Sequence, residues 1–115
     1  MTRQVAVMHS AFEETSRCVA LVEVGTILTD QEALEYAYQK TNNIMGSWSM
    51  GRIIQVNGED YINEDYCADI TVMAPLPVSK RTGEIMGLRS TSVGDTMLIG
   101  TKMFKVDDVG FKEIV

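Results

Sequence analysis

Apolar and polar positions alternate in short runs along most of this 115-residue chain, and a single stretch changes to a helical period. Residues 4–9, Gln-Val-Ala-Val-Met-His, alternate loosely and are rich in β-branched side chains, which predicts a first strand. The polar stretch 12–16 leads to residues 18–24, apolar at nearly every position as in the middle of a sheet. Gly25 ends that run, and pairing the two strands as a hairpin is the least costly arrangement. From Thr29 the period lengthens. Thr29 followed by Glu32 forms the pattern of a capping box, and Asp30 adds negative charge to the first turn. Leu34, Ala37, Tyr38, Thr41 and Ile44 or Met45 then share one helix face. Asn42-Asn43 weakens the helix, and Gly46 at positive φ is its expected end.

Beyond the helix, residues 52–56 predict a strand and Asn57-Gly58 a tight hairpin turn. Residues 59–69 are the most acidic part and the least regular. Residues 70–74 predict a strand stopped by Pro75 and Pro77, and 79–84 a solvated basic tip. A last hairpin has arms 96–99 and 103–106, turns at Gly100-Thr101 and runs out through 109–114. One helix among strands, without βαβ alternation, predicts a single α+β domain over 1–115. Its sheet is mainly antiparallel, with a small open barrel as one form it can take.

Charge narrows the function classes. Residues 1–70 carry eleven acids and four bases, −7, and residues 71–115 five acids and six bases, +1, which together make the net −6. Binding nucleic acid needs clustered Lys and Arg, so that function is disfavoured. An acidic face towards a basic protein stays open beside the simpler role of solubility. Cys18 and Cys67 stand alone, as in a reducing cytoplasm, and no run of eighteen apolar residues or signal-peptide core occurs.

Candidate chemistry is sparse. His9 is the single histidine, at a strand end without an obvious nucleophile. No zinc pattern, calcium loop, P-loop or dinucleotide motif is present, so no metal, cofactor or enzymatic activity is expected. Two polar clusters suit binding. In Arg89-Ser90-Thr91-Ser92-Val93-Gly94-Asp95 a guanidinium, three hydroxyls and turn amides offer donors to a phosphate or other anion. The same residues also satisfy ordinary turn chemistry. Asn42, Asn43, Ser47, Trp48 and Ser49 place amides beside an indole that can stack on a ring, or can equally close the core. Arg89, Ser90, Thr91, Ser92, Asp95, Asn42, Asn43 and Trp48 are therefore the candidate ligand-binding residues.

The segment 33–49, with Thr41-Asn42-Asn43-Ile44 and Ser47-Trp48, and the tail 89–95 with 104–114 resemble small uncharacterised proteins of bacteriophages and mobile elements. The tail is also similar to the end of YodL-like domains. The resemblance covers roughly half the chain and implies a setting: an accessory protein in the cytoplasm of a bacterial host, counteracting host defence. The expected ligand is a small nucleotide-like anion or a host protein, with homo-oligomerisation as an option. An acidic inhibitor of a host DNA-handling protein and a small RNA-binding barrel are the alternatives.

Overall fold

The computed structural model describes residues 2–114. Strands β1 (Thr2–His9) and β2 (Arg17–Gly25) precede helix α1 (Asp30–Lys40). Strands β3 (Ile53–Val56), β4 (Glu59–Ile62), β5 (Ile70–Val72), β6 (Thr96–Ile99), β7 (Lys102–Val106) and β8 (Phe111–Ile114) follow. Six of them form one antiparallel sheet in the order β5-β2-β1-β6-β7-β8, while β3 and β4 form a separate two-stranded sheet. The architecture is α+β. The large sheet stays open between the edges β5 and β8 and does not close into a barrel.

Period-two patterning decides which face is buried. Val5, Val7 and His9 point inward from β1 and meet Val22 and Ala20 of β2 on one side, Ile99 and Met97 of β6 on the other. Phe104 and Val106 extend this face onto β7. Helix α1 lies across β1 and β2 and buries Ala33, Leu34 and Ala37. Burying a side chain such as Leu34 contributes about 1.5–3 kcal/mol. The capping box forms as expected: Glu32 N–H donates to Thr29 Oγ1 at 3.1 Å and Thr29 N–H to Glu32 Oε1 at 2.9 Å.

Several expectations change. The helix stops at Lys40, because Thr41 takes the C-cap and turns its hydroxyl onto the Ala37 carbonyl at 2.8 Å. Ile44 and Met45, one of them expected on the helix face, are 74% and 68% exposed. Gly46 is not at positive φ; it lacks a Cβ because one would collide with Asn63 Oδ1. The acidic stretch expected to be irregular begins with β4, since Asn57 (φ 53°) and Gly58 (φ 82°) close a two-residue turn that pairs it with β3. Strand β5 is two residues shorter than its apolar pattern, and β8 adds an edge strand.

Candidate functional site

The tail cluster is built by a turn. Gly94 adopts φ 97°, the Asp95 amide donates to the Ser92 carbonyl, and the chain enters β6 directly afterwards. That geometry drives the Asp95 carboxylate inward, to zero exposure. There it accepts from the amides of Ser10, Ala11 and Ser92 at 2.8–2.9 Å and from Arg89 through both oxygens at 2.8 Å. Burial alone pushes this carboxyl up; the Arg89 guanidinium and the three amides overcome it and hold it at about 2.

Arg89 is saturated. Nε and Nη2 donate to Glu13, Nη1 and Nη2 to Asp95, and Nη1 also to the Ser90 carbonyl, so all five N–H groups of the fork are used. The Phe12 ring covers the guanidinium with its centroid 4.9 Å away. These contacts raise the Arg89 pKa further, the Asp95 hydrogen bonds most of all, and Arg89 in turn lowers that of Glu13.

Thr91 is also turned inward. Its hydroxyl meets Thr41 Oγ1 at 2.8 Å and His9 Nε2 at 3.1 Å, and all three side chains are buried. Desolvation holds the His9 pKa below its usual 6.5, against the pull of Asp95. A hydroxyl, an imidazole and a carboxylate thus adjoin, yet they do not form a nucleophile relay. Asp95 Oδ2 approaches Nε2 at 3.9 Å, the nitrogen already facing Thr91, whereas a relay needs the nucleophile hydroxyl and the orienting carboxylate on opposite ring nitrogens of the basic imidazole. Nothing here meets solvent. The arrangement can fix two chain segments together, and it does so.

Trp48 belongs to the same interior. It is 1% exposed, its indole N–H donates to the Arg89 carbonyl at 2.8 Å, and its ring meets His9 edge-on with centroids 6.2 Å apart. Asn43 ties the two clusters together, giving Nδ2–H to the Leu88 carbonyl and taking the Trp48 amide on Oδ1, while its own amide donates to Ser90 Oγ. Ser92 Oγ donates to the Ser90 carbonyl, and Asn42 Nδ2 to the Tyr38 carbonyl. All eight candidate residues are therefore brought to one region, but each makes hydrogen bonds within the chain, and the indole is enclosed rather than open to a ring.

A second carboxylate repeats the device. Asp65 Oδ2 accepts from three successive amides, Ile44, Met45 and Gly46, at 2.6–3.0 Å. Beside it buried Asn63 donates to the carbonyls of Ser47, Met50 and Gly51. Backbone concavities of this kind bind anions, and here both are filled by the chain's own aspartates. Glu13, Ser10, Thr41, Asn63 and Asp65 are not among the candidate ligand-binding residues; no short-range pattern marks them for these roles.

Among the described residues, no group of three or more His, Cys, Asp or Glu side chains is placed to hold a metal ion, and no helix is long and apolar enough to cross a membrane. Cys18 and Cys67 are free thiols.

The exposed chemistry lies elsewhere. Seven of the eight strand residues in the β3–β4 hairpin are exposed, among them Ile53, Val56, Tyr61 and Ile62. An open groove of about 780 Å³ separates one face of this hairpin from residues 76–85. The sequence signal for it was the Asn57-Gly58 turn between Ile53-Ile54 and Tyr61-Ile62. No family model, curated protein or solved structure matches the chain.

Proposed function

We propose that the chain is a non-enzymatic accessory protein of the bacteriophage or mobile-element kind, acting in the host cytoplasm by docking onto another protein through the β3–β4 hairpin. The observation that carries this reading is the exposure of Ile53, Val56, Tyr61 and Ile62 on a two-stranded sheet. An isolated hairpin is marginal in water, and apolar side chains on its open edges favour association. The acids Glu59, Asp60, Glu64, Asp65 and Asp69 share its surroundings without an intervening base, which favours a basic partner surface and disfavours RNA. A small anion is the weaker ligand, since the five N–H groups of Arg89 are already engaged.

The test pairs binding with stability. In the double variant Ile53→Ser, Ile62→Ser, stability should change by less than about 1 kcal/mol, because both side chains are more than half exposed. Capture of a host protein from bacterial lysate should nevertheless be lost. Unchanged capture by this variant, or a clear rise in melting temperature with nucleotides, where saturation at a hundred times Kd is worth about 2.7 kcal/mol, would point back to the anion.

A further inference from the structure

Deepening the protein-docking reading, on which it rests, we propose that the groove beside the hairpin takes an extended basic segment of the partner. An apolar side chain seats against Ile53, Leu76 and Ile85, and flanking Lys or Arg residues meet Asp60 and Glu84. The register builds this face. Ile53 pairs with Ile62 and Gln55 with Asp60, and paired residues project to the same side of a sheet. Ile53, Gln55 and Asp60 line the groove, whereas the alternate residues Ile54 and Val56 do not. Across the opening stand Leu76, Glu84 and Ile85, held where the Val78–Ile85 bridge closes the loop.

Chemistry selects the occupant. Ile53 and Ile85 are 53% and 61% exposed, so apolar surface remains for an anchor to cover. The groove lining includes the two carboxylates and no Lys or Arg. Over residues 53–85 the chain carries six acids and two bases, a local charge of −4. The bases, Lys80 and Arg81, lie in the turn beyond the bridge, and the guanidinium of neighbouring Arg52 stacks on Tyr66 at 4.5 Å. A short peptide in such a groove engages less surface than a full protein interface, so weaker binding than that of a whole partner protein is expected.

Selection from a library of short random peptides tests this, using the full chain as bait. Enriched peptides should combine one large apolar residue with flanking Lys or Arg, and bind about tenfold more weakly to the variant Asp60→Lys, Glu84→Lys. Selection on that variant should instead yield acidic flanks. Its melting temperature should match the wild type, since the altered positions are exposed. Absence of enrichment, acidic or anchor-free peptides, or identical preferences for both proteins would overturn the proposal. Concentration-dependent self-association abolished by Ile53→Ser, Ile62→Ser would also overturn it, with a second copy as the occupant. Lysate capture that depends on the hairpin but survives Asp60→Lys, Glu84→Lys would reject the basic segment while leaving protein docking intact.

Discussion

Replacing Asp95 with alanine is expected to cost about 3–5 kcal/mol of folding stability, because it removes a fully buried acceptor and leaves three amides and the part-buried Arg89 guanidinium without it. For a chain of this length the loss corresponds to a fall of about 10–25 °C in melting temperature. Glu13→Gln serves as the comparison. That carboxylate also binds Arg89, but its side chain is 24% exposed where that of Asp95 is fully buried, so its loss should cost less, about 1–2 kcal/mol. The pH dependence follows with a definite sign. Asp95 is held at about 2 in the folded chain against a usual 3.8, so its contribution, on the order of 2 kcal/mol, is complete above about pH 4 and is lost as pH falls towards 2. His9, held below 6.5, adds a loss in the same direction once pH drops below 6.5, because the unfolded chain takes up that proton first. Stability should therefore fall on acidification, and Asp95→Asn should make the fall below pH 4 smaller, the remainder coming from Glu13 and the other lowered carboxylates. Circular-dichroism melts from pH 8 to pH 2 measure both, and equal costs for Asp95→Ala and Glu13→Gln would contradict the assignment.

Trp48→Ala is expected to cost a similar amount, about 3–5 kcal/mol, for the cavity it leaves among buried residues. Trp48→Phe separates the two contributions of the indole. It keeps most of the apolar volume but strands the Arg89 carbonyl, at a cost of about 1–3 kcal/mol. Urea denaturation followed by far-ultraviolet circular dichroism should show lower midpoints with unchanged slopes. An indole kept for stacking on a visiting ring would behave differently. Its removal would barely move the midpoint.

What was legible in the sequence is what neighbouring residues decide. The Thr29–Glu32 capping box, the Asn57-Gly58 turn and the alternation in β1 each depend on residues a few positions apart, and each appears in the fold. The polarity of the Arg89–Asp95 run was equally visible, but its purpose was not. Asp95 bonds to the amides of Ser10 and Ala11, 85 and 84 residues away, and Arg89 to Glu13 across 76. A cluster of hydroxyls behind an arginine looks the same on paper whether a ligand or the chain itself supplies the matching groups. Strand β4 was hidden for another reason: Glu-Asp-Tyr-Ile has no period-two apolar pattern, because neither face of it is buried. The absence that concealed the strand is the feature that makes it a candidate docking surface.

Hydrogen exchange of the backbone amides separates interior scaffold from exposed surface most directly. The amides of Ser10, Ala11, Thr91, Ser92 and Asp95, all bonded within the network, should exchange through global unfolding only, among the slowest in the chain, while those of 53–62 open locally and exchange orders of magnitude faster. Rapid exchange at 91–95, matching that of the hairpin, would contradict the account and restore the hydroxyl-rich turn as an open site.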